Sequence, residues 1–282
     1  MIIAVASGKG GTGKTTIATS LALALPTPVL FLDCDVEAPN AHLFLRPDFE
    51  QNQEVGLLIP EVDEERCTFC GECANACQYH AIAILGKKAL VFPQLCHGCG
   101  SCTMICPEQA ITEKLDVMGV LESGTTKTGI RFGRGVLNVG EPMAVPVIRQ
   151  LKKWMESEPE QNVILDASPG TSCPVVATVR GADFLILVTE PTPFGLHDLR
   201  LAAQVARELA IPAGVVVNRE NGAYPDLDEY CESESLPILL RIPYDRAIAE
   251  GIAQGKNLVE VNPGFIQEFR SLFMKIQGLC KH

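Results

Sequence analysis

Ser7-Gly8-Lys9-Gly10-Gly11-Thr12-Gly13-Lys14-Thr15-Thr16 is the stretch from which the rest of the reading follows. The apolar residues 2–6 before it have the character of a buried strand, and residues 15–25 after it read as a helix. Strand, glycine-rich turn and helix in that order are the context a phosphate-binding loop requires. Gly8, Gly10, Gly11 and Gly13 let the backbone curl so that its N–H groups, Thr12 and Thr16 among them, line an anion-binding nest. The first turn of the helix adds partial positive charge at the same place. In such a loop Lys14 reaches the β- and γ-phosphates of ATP, and the Thr15 hydroxyl ligates Mg²⁺.

Two further apolar runs end in acid. Val-Leu-Phe-Leu at 29–32 leads into Asp33-Cys34-Asp35, and Val-Ile-Leu at 163–165 leads into Asp166-Ala-Ser-Pro-Gly170. Carboxylates at the carboxyl ends of strands beside a phosphate loop lie where Mg²⁺ and the attacking water sit. Asp166 is expected to hold Mg²⁺ through water. Asp33 is expected to support the metal or, with Asp35, to cap the following turn; Cys34 is expected to pack. Strand-like runs at 183–188, 213–218 and 238–242 alternate with helix-like ones at 142–156, 196–209 and 265–279. That alternation predicts an α/β fold with a largely parallel sheet flanked by helices.

Beyond a charged stretch at 61–65 the composition changes. Cys67, Cys70, Cys73 and Cys77 follow a Cys-x₂-Cys-x₂-Cys-x₃-Cys pattern, and Cys96, Cys99, Cys102 and Cys106 repeat it. This is the spacing of two-cluster bacterial ferredoxins, in which the fourth cysteine of each run ligates the other cluster. Cys67, Cys70, Cys73 and Cys106 are therefore assigned to one [4Fe–4S] cluster, and Cys96, Cys99, Cys102 and Cys77 to a second. Zinc is the competing metal for paired Cys-x₂-Cys; the full spacing, used twice, favours iron–sulfur. Pro107 follows Cys106, while Gln78 stands where a matching proline would be. His80 and His97 read as spacers. The chain thus divides into a nucleotide-binding domain, 1–60 and 114–282, and an inserted 61–113 module.

Twelve cysteines in such a chain point to metal rather than disulfides. The net charge of −11 argues against a nucleic-acid backbone as partner. No run reaches the roughly 18 apolar residues of a membrane span, and the first strand begins by Ile2, which predicts a cytoplasmic protein without a leader. Residues 115–138, rich in Gly, Ser and Thr, read as a surface hairpin rather than a partner-docking loop. The 265–279 helix reads as packing. Cys231 and Cys280 receive no role.

Lys9, ahead of Lys14, resembles the deviant loop of the MinD/ParA/Mrp/nitrogenase-iron-protein group of ATPases. The resemblance covers nearly the whole chain, with a ferredoxin domain inserted. It implies ATP hydrolysis by a homodimer formed on ATP binding, with Lys9 reaching the nucleotide of the facing subunit. Asp35 corresponds to the switch I residue that helps activate water, and Gly170 to the switch II glycine that senses the γ-phosphate. Asn218 resembles the residue that reads the base, with Arg219 beside it and Pro243 in the second flanking loop. Cys173 stands where the nitrogenase iron protein has one of its two cluster cysteines. The second cysteine is missing here, so Cys173 is expected to be a buried structural residue. The function expected first is ATP-coupled electron transfer through two clusters to an unidentified partner. An ATP-dependent carrier in iron–sulfur or metal-cofactor assembly, delivering to an apo-protein, is the alternative, and a MinD-like positioning scaffold the third reading.

Overall fold

Seven strands hydrogen-bond in parallel: β1 (Ile2–Ala6), β2 (Val29–Asp33), β7 (Arg131–Leu137), β8 (Asn162–Asp166), β9 (Phe184–Thr189), β10 (Ala213–Glu220) and β11 (Ile238–Pro243). Their order across the sheet is β11-β10-β9-β1-β8-β2-β7, and β6 (Ile111–Thr125) and β3 (Asp48–Val62) extend it antiparallel beyond β7. This computed structural model describes residues 1–26, 28–157 and 162–280. The strands nearest the middle are apolar runs because both faces of the sheet are covered.

On one face Leu32, Leu165, Leu187 and Val215 pack with helices α5 (Val145–Lys152), α6 (Cys173–Val179) and α7 (Pro193–Glu208). On the other, Phe31, Ile164, Ile186 and Val216 pack with α1 (Lys14–Ala24) and α11 (Phe265–Leu279). The period-2 alternation of the strands decides which side chain enters which layer. α11 is the amphipathic packing helix expected from its sequence: Phe269, Leu272 and Ile276 are buried, and Arg270 Nε donates to the Ala24 carbonyl at 2.9 Å, closing the last turn of α1. Short helices α2 (His42–Leu45), α8 (Pro225–Ser233), α9 (Arg246–Ala253) and α10 (Leu258–Val261) fill the connections. No helix among the described residues is long and apolar enough to cross a membrane.

The segment 115–138 is a hairpin but not a surface one. β7 is a full member of the parallel sheet, with Phe132 1% exposed and stacked on Phe31 at 5.8 Å between centroids. Its glycines admit neighbours: Trp154 and Leu32 close over Gly133. The composition signalled a loop because small residues are needed under a crowded layer, not because the chain is exposed.

β3 and β6 form a two-stranded ribbon of 15 residues each, paired from Asp48 opposite Thr125 to Val62 opposite Ile111. The cysteine module sits at its far end. It contains two short helices, α3 (Glu72–Ala76) and α4 (Ser101–Ile105), packed on each other, and a small sheet of β4 (Ile82–Ile84) with β5 (Ala89–Val91). The boundaries read from the sequence, 61 and 113, fall within the last rungs of this ribbon, where Pro60 pairs with Glu113.

At Gly56 the ribbon carries a register shift, and a Cβ there would stand 1.8 Å from the Asp116 carbonyl oxygen. Gly56→Ala forces one strand of the ribbon aside, and overpacking of this kind costs about 1–3 kcal/mol. The expected outcome is faster proteolytic cleavage within 48–62 and 111–125 with far-UV circular dichroism nearly unchanged. Cleavage at the parent rate would show that the strands separate there without cost.

Candidate functional site

The phosphate loop joins β1 to α1. Gly13 precedes the helix at φ 93°, a left-handed conformation that glycine adopts freely, and a Cβ there would stand 2.4 Å from Asn218 Nδ2. Asn218 Nδ2 donates to the Thr12 carbonyl at 2.7 Å, so the loop is fastened to the end of β10. Gly8 lies under the Asp198 carbonyl of α7, while Gly10 and Gly11 face solvent. Thr12, Lys14 and Thr16 are buried and Thr15 is half-buried.

β1 and β8 pair with Val5 opposite Asp166, and β2 and β8 with Asp33 opposite Asp166, so two strand ends bring their acids to the loop that leaves β1. Asp166 is fully buried, and neither of its carboxylate oxygens has a hydrogen-bond partner among the described residues. Burial pushes its pKa up to about 6, against the pull of the Lys14 ammonium and the nearby Thr15 hydroxyl. A buried carboxylate with two unfilled acceptors, beside a lysine and a threonine hydroxyl, fits Mg²⁺ held through water. Asp33 differs. Its Oδ2 accepts from the Ala41 N–H at 2.9 Å and its Oδ1 from the Asp35 N–H at 3.2 Å. It caps the turn after β2, the second of the two roles expected for it; burial, then the neighbouring Asp166, raise its pKa well above the usual value. Asp35 is half-buried; burial raises its pKa, opposed by Lys14 and the Ser168 hydroxyl.

Gly170, at φ 97°, donates its N–H to the Ser7 carbonyl at 2.9 Å, linking the loop after β8 to the phosphate loop. Lys9 Nζ lies 3.7 Å from Glu190 Oε2, and Arg219 Nη1 lies 2.6 Å from Glu190 Oε1. Gly13, Thr16, Asn218, Arg219, Pro243 and Tyr244 line one cavity beside the loop, of a kind that would take a base. The amide of Asn218 also accepts from the Arg219 N–H at 3.0 Å. Part of its bonding is therefore structural. Glu190 and Ser168 escaped the sequence reading. Both lie just beyond the carboxyl ends of central strands, and that position was the available signal.

In the module, Cys67, Cys70, Cys73 and Cys106 line one cavity, and Cys77, Cys96, Cys99 and Cys102 line another. Each cavity takes three cysteines from one run and the fourth from the other. Main-chain donors face the sulfurs: Ala81 N–H to Cys77 Sγ at 3.3 Å, Ala110 N–H to Cys106 Sγ at 3.3 Å and Gly98 N–H to Cys96 Sγ at 3.4 Å. Ala81 and Ala110 each stand four residues past their cysteine, so the duplication extends to the donors. Among the described residues no three His, Cys, Asp or Glu side chains converge on a single-ion position. Four thiols with main-chain N–H donors beside them are a donor set that suits an iron–sulfur cluster, and four thiols alone also suit zinc. Burial raises the thiols of Cys73, Cys96 and Cys102, while bonds to Ser101 lower that of the exposed Cys99. His97 stacks on Tyr79 with ring centroids 3.7 Å apart, over the second cavity. Cys173, expected to be buried, is exposed at the first turn of α6. Of the cysteines outside the module, Cys34 and Cys231 are buried.

Residues 3–259 match the CobQ/CobB/MinD/ParA nucleotide-binding domain family. The chain belongs to that family. It is 32% identical over 93% of both chains to an uncharacterized protein of Methanocaldococcus jannaschii. It is 23% identical, over 98% of this chain and 80% of the relative, to a cytosolic Fe-S cluster assembly factor NUBP1 homolog of Caenorhabditis briggsae. Among solved structures, the septum site-determining protein MinD of Pyrococcus horikoshii with Mg-ADP superposes with a TM-score of 0.60, over 99% of this chain and 96% of that one, at 20% identity. The family member described here therefore has the P-loop α/β fold, with a mostly parallel sheet, and binds nucleotide.

The buried Asp166 makes a testable electrostatic statement. In the folded chain it holds its proton up to about pH 6, whereas unfolded it releases it near the usual value of about 3.9. The folded state binds the extra proton between those limits, so stability falls as pH rises through about 4–6 and stays lowered above. Asp166→Asn is expected to raise the urea midpoint of nucleotide-free protein at pH 7.5, to leave it nearly unchanged at about pH 4, and to remove the stabilisation given by Mg²⁺ with ATP. A midpoint no higher than the parent's at pH 7.5 would contradict the strain assigned to this carboxylate.

Proposed function

We propose that this chain is an ATP-hydrolysing iron–sulfur protein that serves as an ATP-dependent carrier in iron–sulfur or metal-cofactor assembly. The observation that carries it is the pairing, on one chain, of a phosphate loop facing a buried, unfilled carboxylate with two cavities each ringed by four cysteines. The likeness over nearly the full chain to a relative named as a cluster assembly factor supports the same reading. Lys14 and the loop N–H groups bind the phosphates, and Thr15 and Asp166 hold Mg²⁺, which neutralises charge on the transferring phosphoryl group. Asp35, its pKa raised, orients and deprotonates the attacking water. Gly170 gives up its bond to Ser7 to reach the γ-phosphate. Lys9 leaves Glu190 and serves the facing subunit when two chains close on ATP. Asn218, Arg219 and Pro243 flank the base.

The interlocked rings favour a second reading. Cys77 and Cys106 each cross to the other run, so releasing one cluster opens the neighbouring ring as well. Clusters held this way are suited to staying and passing electrons. Transfer of iron and sulfide to an apo-protein such as apo-aconitase, accelerated by ATP, supports the carrier; ATP-dependent reduction of a partner with the clusters retained replaces it by electron transfer.

Two cubanes predict about eight iron and eight sulfide per chain on anaerobic analysis. Cys77→Ala should disturb the electron paramagnetic resonance signal of the cluster ringed by Cys96, Cys99 and Cys102. Loss confined to the other signal would refute the crossed assignment, and stoichiometric zinc would end the iron–sulfur reading.

For the nucleotide site, Asp35→Ala should retain ATP binding while turnover falls on the order of 10²-fold or more. Lys9→Ala should bind ATP as a monomer, with ATP-induced association lost in sedimentation. Equal loss of binding and turnover in Asp35→Ala would make that residue structural.

A further inference from the structure

A groove of about 700 Å³ runs between the cysteine module and the nucleotide-binding body. Its lining draws on parts of the chain that the function has so far used separately. Glu37 lies two residues beyond Asp35, and Cys173 three beyond Gly170, so both belong to the loops at the nucleotide. His97, next to Cys96, lines this groove and also the second cysteine cavity, forming the wall between them. The floor includes Leu57, whose side chain stands against Gly98, and Met143. Along the remaining side, Arg149 and Lys153 lie one turn apart and are exposed.

The volume falls in the range of ligand pockets, and the groove is partly open to solvent, so that a polypeptide segment can enter it from the side. Charge narrows the choice. The chain carries a net −11, and an acidic partner is repelled by most of such a surface. Arg149 and Lys153 give the groove two cations against the one carboxylate of Glu37, and a guanidinium pairs with carboxylates in bidentate fashion. The exposed Cys173 thiol and the His97 wall make the same groove the approach to the second cysteine ring.

We propose that this groove docks an acidic, cysteine-bearing segment of a partner protein, held by Arg149 and Lys153 and presented across His97 to the ring of Cys77, Cys96, Cys99 and Cys102. The proposal rests on the function proposed above only for what the segment comes to receive. Because Glu37 and Cys173 border the nucleotide loops, the groove's affinity for the segment differs between the ADP state and the state with a slowly hydrolysed ATP analogue.

The test uses the full-length, cluster-loaded protein and a short fluorescein-labelled peptide in which Asp and Glu flank one cysteine, with a twin carrying Lys in their place. Fluorescence anisotropy should show the acidic peptide bound, the lysine twin unbound, and affinity shifted by nucleotide. The double variant Arg149→Glu with Lys153→Glu should weaken binding at least about tenfold, a loss typical of reversed interface charges. The double Gln variant should fall between. Both should keep the parent's visible absorbance and basal ATPase rate, since neither residue lines a cysteine cavity or the cavity beside the phosphate loop. A photo-crosslinker on the peptide should mark Met143 or α5. Equal binding of the twin, undiminished binding by the charge-reversed protein, or crosslinks confined to another face would overturn the proposal. Peptide bound in the groove of a protein that donates no cluster keeps the proposal and removes the carrier reading. Cluster donation by a protein whose groove ignores charge does the reverse.

Discussion

The parallel pairing of β1 with β8, with Val5 opposite Asp166, is the constraint on which the rest depends. It fixes where the phosphate loop leaves the sheet and where the carboxylate stands in relation to Lys14. Both strands are buried along most of their length, so a slip of one residue would turn Ile3, Val5 and Ile164 out of their layer. The hydrophobic core thereby pins a polar geometry. The cost appears at Asp166, whose carboxylate is buried with neither oxygen hydrogen-bonded among the described residues and whose pKa is raised to about 6. Folding energy from the core sustains a site that is unfavourable until a cation and phosphates enter it, which is common where binding is the purpose.

The ribbon of β3 and β6 solves a different problem. A module of some fifty residues has too little apolar surface to fold around a large core of its own. Here it is clamped between two long strands, with Ile59, Ala81 and Cys96 in one small cluster and Cys73, Ile82 and Ile111 in another. Ile59 and Ile111 belong to the ribbon itself. The cysteine rings are thus attached to the sheet through continuous backbone hydrogen bonding rather than a flexible linker, and they sit at a set distance from the nucleotide.

Much of this was legible in the chain. The loop from Gly8 to Thr16, the acids at strand ends and the two cysteine runs are local patterns, and each reports a chemistry that needs those residue types at that spacing. The parallel strands were legible because burial on both faces leaves uninterrupted apolar runs. β3 was not. Asp48 to Glu54 is polar apart from Phe49 and exposed, and it is a strand only because β6 lies beside it. As the edge of the sheet, it is protected by its charges, so the pattern that defends the edge also hides the strand. The hairpin at 115–138 misled for the complementary reason, since its glycines accommodate neighbours in a buried layer. The exposure of Cys173 and the bonding of Asp33 were not legible because both are tertiary facts: the N-terminal turn of a seven-residue helix faces outward, and the N–H of Ala41 returns to Asp33 from eight residues away.

Lys152 ties the helix after the Gly170 loop to the helix that packs on the ribbon. Its ammonium donates to the carbonyls of Ala177, Thr178 and Arg180 at 2.9, 2.6 and 2.7 Å, which are at the C-terminal end of α6. A cation there satisfies carbonyls that the helix leaves unpaired and complements the negative end of its dipole. The contact ties α5 to α6, and α6 begins three residues after Gly170. α5 in turn packs on β3 and β6, the strands that carry the module. A displacement of the loop after Asp166 therefore has a mechanically continuous route to the ribbon: through a helix capped by a lysine, into a second helix, onto the strands. Dense packing resists small independent movements of such parts. The groove between module and body is lined at once by a residue beyond Asp35, the start of α6, α5, the ribbon and the rim of a cysteine ring, so it adjoins every element of that route.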